Sequence, residues 1–186
     1  MYKDIMVDLE TMGNGSDAAI IAIGAVAFSE DKLSDSEFYQ VVDLQSSVDA
    51  GLKIDPSTVL WWMKQSDDAR QALFKPGSDD LYSTLYRFGN WIEDVTSGAA
   101  KKDRHVWGNG ATFDNMILRS AFELTGEPIR WEYYGDLCYR TLKKLYPSIK
   151  LIRTGTHHNA LDDAKSQAEH AMALLAKTEY WDAGKA

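Results

Sequence analysis

Apolar and polar residues alternate over residues 4–11, with Ile5, Val7 and Leu9 in one set of positions and Met6, Asp8 and Glu10 in the other. A period of two predicts a strand, here one whose second face carries two carboxylates side by side. Residues 19–28 (AIIAIGAVAF) are almost continuously apolar and predict a buried central strand, and 37–43 (EFYQVVD) predict a third. The turns between them, Gly13-Asn14-Gly15-Ser16 and Glu30-Asp31-Lys32, are short enough for an antiparallel meander. Helical spacing then takes over. Asp55-Pro56-Ser57 opens a helix containing Trp61 and Trp62, and a second helix over 66–74 ends before Pro76-Gly77. A third, opened by Ser78, keeps Leu81, Leu85, Phe88, Ile92 and Val95 at helical spacing. Residues 98–103 read as a solvent loop, 105–108 as a short strand, 113–124 as a helix stopped by Gly126, and 129–134 as a last strand. Asp136 is expected to cap a helix over 137–145, and the final helix spans about 160–177. Three early strands followed by alternating helices and strands predict an α/β fold, a mixed sheet with helices packed on it.

At 186 residues and 45% hydrophobic content, the chain has enough material for one domain with a full core. No apolar run approaches a membrane span, and the start (Met-Tyr-Lys-Asp, then the strand) has no signal-peptide pattern. A single cysteine, Cys138, excludes an internal disulfide and a cysteine zinc cage. A cytoplasmic protein without a membrane partner is expected. The net charge of −8 argues at first against a polyanionic partner. Its distribution qualifies that, because residues 137–161 hold no acid and five cations, Arg140, Lys143, Lys144, Lys150 and Arg153. A local basic strip on an acidic body remains compatible with phosphate binding.

The candidate chemistry is carboxylate chemistry. Strands ordinarily avoid Asp and Glu, and the neighbouring charges of Asp8 and Glu10 repel unless a positive group sits between them. A hard divalent cation meets that need; the plainer reading is an edge strand guarded by charge. Asp114 follows a glycine turn (Trp107-Gly108-Asn109-Gly110) at the start of a helix, where the macrodipole alone accounts for an acid. In His157-His158-Asn159-Ala160-Leu161-Asp162-Asp163, Asn159 is the expected N-cap and Asp162, at the third helical position, the return partner of a capping box. Asp163 has no capping duty, and His157 has no role that the residues alone assign.

The three stretches, in this order and spacing, resemble the DEDDh (DnaQ-like) 3′→5′ exonucleases of the ribonuclease H-like superfamily. Asp8-Leu9-Glu10-Thr11 fits the first motif of that family, Asn109-x-x-x-Phe113-Asp114 the second, and His158-x-Ala160-x-x-Asp163 the third. Together they span about 155 of the 186 residues. Trp61-Trp62 and the short chain are most similar to small stand-alone phage or prophage exonucleases and a bacterial exoribonuclease-like group. The resemblance implies a single exonuclease domain over 1–186 with a ribonuclease H-like mixed sheet. It implies a site in which Asp8 bridges two Mg²⁺ or Mn²⁺ ions, Glu10 and Asp163 complete the site that binds the attacking water, Asp114 holds the second ion and His158 is the general base. It places Leu9, Thr11 and Met12 against the terminal nucleotide and Asn109 near the substrate. Trp61, Trp62 and Trp107 are candidates for stacking on bases, although adjacent Trp61 and Trp62 cannot both face one way on a helix. The implied reaction releases nucleoside 5′-monophosphates from the 3′ ends of single-stranded DNA or RNA, or of 3′ overhangs, and a homodimer is expected from the small relatives. Three alternatives stand beside it: an exoribonuclease restricted to RNA, a binding module that kept the fold but does not cut, and a proofreading subunit. The second is expected to lack at least one of the five motif residues, and all five are present; the third is disfavoured because the chain stops soon after its last helix.

Overall fold

The computed structural model describes residues 1–73 and 77–182. Its five-stranded sheet has the order β3-β2-β1-β4-β5, from β1 (Asp4–Thr11), β2 (Ile20–Phe28), β3 (Leu33–Val41), β4 (His105–Gly108) and β5 (Asp136–Cys138). The first three strands form the expected antiparallel meander, and β4 and β5 add in parallel on the other side of β1. Around the sheet lie α1 (Leu44–Asp49), α2 (Pro56–Trp62), α3 (Asp67–Ala72), α4 (Leu81–Val95), α5 (Met116–Thr125), α6 (Tyr139–Leu145) and α7 (Ala160–Leu175). None of the helices among the described residues is long and apolar enough to cross a membrane.

Strand β1 is covered on both faces. Ile5, Val7 and Leu9 enter a core with Leu81, Leu85, Phe88 and Ile92 of α4 and Ile117 and Leu118 of α5. Met6 on the other face joins Val26, Phe28 and Trp107 under Tyr139 of α6 and Ala164, Ala168, Ala171 and Leu174 of α7. The small side chains along α7 let its axis come close to the sheet. A close approach is made at Gly24, the β2 partner of Asp8. A methyl group placed on Gly24 would lie 2.1 Å from the carbonyl carbon of Ala160, so the first turn of α7 rests its backbone directly on the sheet. That contact delivers Asp163, one turn further on, to the carboxylate face of β1.

The structure departs from the sequence reading in several places. Residues 129–134 are not a strand: Trp131 is buried in the α4–α5 core, and Tyr133 and Tyr134 are exposed around a short 3₁₀ turn. The fifth strand comes just after it, and it contains Asp136 in place of the expected helix cap. The Asp136 carboxylate is needed elsewhere, accepting hydrogen bonds from Trp131 Nε1 (2.7 Å), Asn115 Nδ2 (3.1 Å) and the Arg119 guanidinium. Helix α6 therefore starts at Tyr139 with no side-chain cap. Strand β3 begins at Leu33 and ends at Val41, because Asp43 turns the chain into α1 by accepting from Ser46 N–H at 2.8 Å. Helix α4 starts three residues after Ser78, capped by Asp80, and α3 starts after Ser66. The expected end of that second helix at Phe74 and Pro76 lies outside the described residues. Between β4 and α5, residues Ala111–Asn115 form a single π turn where a regular helix was expected from Phe113.

Gly24→Ala is expected to destabilise the protein by about 3 kcal/mol, in the upper range for a forced overpacking, lowering Tm by roughly 6–12 °C at this chain length. Thermal denaturation followed by circular dichroism checks this; an unchanged Tm would mean that α7 does not depend on the close approach.

Candidate active site

Asp8 and Glu10 leave β1 on the α7 face, and Asp163 enters from the first turn of α7. One carboxylate oxygen from each lies within 4.8 Å of the others. Glu10 and Asp163 are both 6% exposed and Asp8 is half-buried. The fourth acid, Asp114, is buried and arrives from the π turn. The turn fits there because β4 ends in Gly108, where a methyl group would lie 2.8 Å from Asp114 Cβ. Asp114 Oδ1 accepts from Leu9 N–H at 3.3 Å, just past the last β1–β4 pair, Val7 with Gly108. Single π turns of this kind re-aim side chains at functional positions.

Four acids in one buried space are costly unless neutralised. Burial, followed by the charges of Asp114, Glu10 and Asp163, pushes Asp8 well above the usual carboxylate range. Burial, followed by the charges of Asp163 and Asp114, pushes Glu10 from 4.5 to about 8. Burial also pushes Asp114 up to about 7, against the opposing Leu9 N–H and the positive charge of Arg140. Asp8 Oδ1 accepts from Gln167 Nε2 at 2.7 Å, Asp163 Oδ2 from His158 N–H at 2.9 Å, and Asp163 Oδ1 from the Arg153 guanidinium. Glu10 Oε1 and Asp114 Oδ2, both buried, have no hydrogen-bond partner among the described residues. Oxygen-only donors, raised proton affinity and orphaned buried oxygens are what a hard divalent cation fits.

His158 stands over this group in a left-handed backbone conformation (φ 64°), a strained geometry for a non-glycine residue that marks functional positions. Its ring meets Trp61 edge-on at 5.0 Å and Trp62 at 6.1 Å and stacks on His157 at 3.8 Å. Burial and then the His157 ring lower its pKa, keeping it neutral and able to accept a proton near neutral pH. Together these residues line a cleft of about 450 Å³, with Leu9, Thr11, Asn109, Trp61 and Trp62 also on its walls.

The remaining sequence candidates divide. Trp62 is buried, its indole donating to Thr11 C=O at 2.9 Å, while Trp61 is 43% exposed and crosses it edge-on at 5.1 Å. Both reach the cleft wall from one helix, one as support and one as surface. The Thr11 hydroxyl donates to Gly13 C=O at 2.8 Å. Met12 is absent from the cleft and packs against the cores beneath, and Trp107 lies in the core under α7, its indole donating to Asp4 Oδ1 at 2.8 Å. Asp162 does not close a capping box: Asn159 caps α7 as expected, but Asp162 Oδ2 accepts from Thr156 N–H at 2.8 Å and fastens the preceding loop. Sequence reasoning gave no role to Gln167, His157, Asn14 or Thr58, all on the cleft wall. Gln167 alone carried a signal, since it lies one helical turn beyond Asp163 on the same face.

In chelator, the folded protein keeps protons on Glu10 that the unfolded chain gives up at 4.5, so this contribution to stability is complete below that pH and lost as pH rises through about 8. Tm of the wild type in EDTA is therefore expected to fall between about pH 5 and 8 more steeply than that of Glu10→Gln. At the upper end the variant should melt roughly 2–4 °C higher, with its Mg²⁺-induced Tm shift reduced. Differential scanning fluorimetry checks all three; parallel pH curves would show that folding does not raise the proton affinity of Glu10.

Comparison with known proteins gives the fold and the family. The nuclease domain of 3′hExo, a DEDDh family member bound to rAMP, superposes with a TM-score of 0.59 at 18% identity, covering 95% of this chain and 93% of that one. A 3′-exonuclease described in 3′-end-specific recognition of histone mRNA stem-loop gives 0.60 at 14%, covering 95% and 83%. These likenesses show the ribonuclease H-like fold. An exodeoxyribonuclease of Enterobacteria phage T4 is 28% identical over 124 residues, 62% of this chain and 53% of the phage protein, so the chain spans about half the length of that curated relative. The model of the Rv2179c-like 3′-5′ exoribonuclease domain matches residues 3–175, and the chain belongs to that family.

Proposed function

We propose that residues 1–186 form one exonuclease domain that removes nucleotides from the 3′ ends of single-stranded nucleic acid, or of 3′ overhangs, with two Mg²⁺ or Mn²⁺ ions as cofactors. The observation that carries this reading is the convergence of Asp8, Glu10 and Asp163 within 4.8 Å, with Asp114 near enough to raise the proton affinity of Asp8 and Glu10. Asp8, Glu10, Asp114 and Asp163 would hold the ions, which when bound neutralise the carboxylates, polarise the phosphodiester and make water more acidic. The chain supplies the rest. The Asp163 carboxylate accepts the His158 N–H and so fixes that residue over the carboxylates. The neutral imidazole takes the proton of the attacking water. The water oxygen bonds to phosphorus as the bond to the 3′ oxygen of the preceding nucleotide breaks, releasing a nucleoside 5′-monophosphate. A cleft of about 450 Å³ is on the scale of a small ligand, which favours one splayed terminal nucleotide over a duplex end. Exposed Trp61 offers it an aromatic surface.

Both sugars are expected to be accepted, because the chain is similar both to an exodeoxyribonuclease and to an exoribonuclease domain. A second reading, restriction to RNA, is favoured by the family description over residues 3–175. Matched 5′-labelled DNA and RNA oligonucleotides, single-stranded and with 3′ overhangs, decide between them: descending ladders on both support the first reading, on RNA alone the second, and no ladder in Mg²⁺ or Mn²⁺ overturns the nuclease proposal. EDTA is expected to abolish the ladder and added Mg²⁺ or Mn²⁺ to restore it.

His158→Ala is expected to lower kcat by roughly 10²–10⁴-fold, the usual worth of a general base; an unchanged single-turnover rate would move the proton transfer elsewhere. Asp163→Asn should be far more damaging than Asp162→Asn, because the latter keeps an amide oxygen for Thr156 N–H. Parallel kinetics on one oligonucleotide give the ranking, and its reversal would reassign the metal ligand.

A further inference from the structure

Arg153 lies outside all three motifs, on the segment joining α6 to α7, yet it lines the cleft and donates to Asp163 Oδ1. The other Asp163 oxygen takes the His158 N–H at 2.9 Å. Of the three acids that converge, then, one is already covered by a cation of the chain itself, while Glu10 Oε1 in the same group has no hydrogen-bond partner among the described residues. A guanidinium and a divalent cation cannot both press on Asp163 without strong repulsion in so buried a place. Asp163 is fixed on α7 and its side chain is 9% exposed, whereas that of Arg153 is 44% exposed, so the arginine is the partner free to move. Arg140 lines the same cleft. Lys143 completes a cationic group: burial, then the charges of Arg140 and Arg153, hold its amine below the usual range. Cations gathered in this way repel one another until an anion arrives, and a guanidinium fork matches the oxygens of a phosphate.

We propose that Arg153 is an exchangeable counter-ion: it neutralises Asp163 in the cation-free protein and, once Asp163 is given up to a divalent cation, turns to hold the phosphate of the terminal nucleotide. This rests on the nuclease reading of the same cleft. It makes the arginine a competitor for one ligand and a recruit for the other, so that cation and nucleotide bind in order. Substrate phosphate finds its guanidinium partner only after the carboxylates are occupied.

The test is calorimetric titration of the whole protein, wild type, Arg153→Ala and Arg153→Gln, first with Mn²⁺ alone and then with AMP at saturating Mn²⁺. Removing the guanidinium is expected to tighten Mn²⁺ binding by about tenfold and to weaken AMP binding by about tenfold, the scale of one charge-assisted contact. A merely structural role would weaken both. Mn²⁺ affinity unchanged or reduced in the variants overturns the exchange, and undiminished AMP affinity overturns the phosphate role. A wild type that binds no Mn²⁺ overturns instead the metal reading of the carboxylates, so the two failures are distinct. The Gln variant keeps a polar stem over the cleft, which allows the comparison even where Ala disturbs the loop.

Discussion

The constraint on which the rest of the structure depends is electrostatic: acids from three distant parts of the chain are held together in a space too dry to ionise them freely. Asp114 and Asp163 raise the cost of charging Asp8 and Glu10, and Glu10 that of charging Asp8, while burial comes first for Asp8, Glu10 and Asp114 alike. A fold that only had to be stable would not keep this arrangement, since carboxylates in water cost nothing. What stabilises it is the surrounding frame, two apolar cores on either side of one strand, large enough to hold the cluster against its own repulsion.

The frame achieves this through two places where backbone replaces side chain. At Gly24 the first turn of α7 sits against β2, bringing Asp163 in beside Asp8 and Glu10. At Gly108 the strand ends without a Cβ, leaving room for the π turn that aims Asp114 at Leu9 N–H. Both glycines lie level with the carboxylate end of β1: Gly24 pairs with Asp8, Gly108 with Val7. The geometry of the site is therefore set mainly by how closely three backbone segments approach, and only secondarily by the loops around them.

That explains how much could be read from the sequence. The meeting of Asp8, Glu10 and Asp163 was legible through the family resemblance, and strand alternation and helix-start position fix where those three point once their elements exist; Asp114 comes instead from a π turn where a regular helix was expected. The β1–β3 meander and α7 were legible from the same alternation and helix start. Strand β5 was not, because three half-buried residues at a sheet edge carry no alternation, and the aromatic run before it imitates a strand while Trp131 is serving a helix core. Helix α1 was missed because six residues with two serines depend on the Asp43 cap more than on propensity. Arg153 was visible as charge but not as a partner of Asp163: the nine residues between them contain the Gly155 turn (φ 76°) and the left-handed His158, which fold the loop back onto the helix it precedes. Periodicity says nothing about such a return.

The same strand shows how a buried acid that builds structure differs from one reserved for chemistry. Asp4, at the start of β1, is only 4% exposed, yet its Oδ1 has Trp107 Nε1 at 2.8 Å, Tyr180 O–H at 2.5 Å and His105 Nδ1 at 3.3 Å. These bonds tie the segment after α7 to the base of the sheet and leave that oxygen well partnered. Six residues further along, Glu10 is similarly buried and has an oxygen with no hydrogen-bond partner among the described residues. Burial alone does not distinguish the two; satisfaction does. A carboxylate whose donors come from its own chain has spent its acceptor capacity on the fold. One with an oxygen screened from water and unmatched among the described residues keeps that capacity for a partner from outside, and its position beside Asp8 and Asp163 favours a positively charged one.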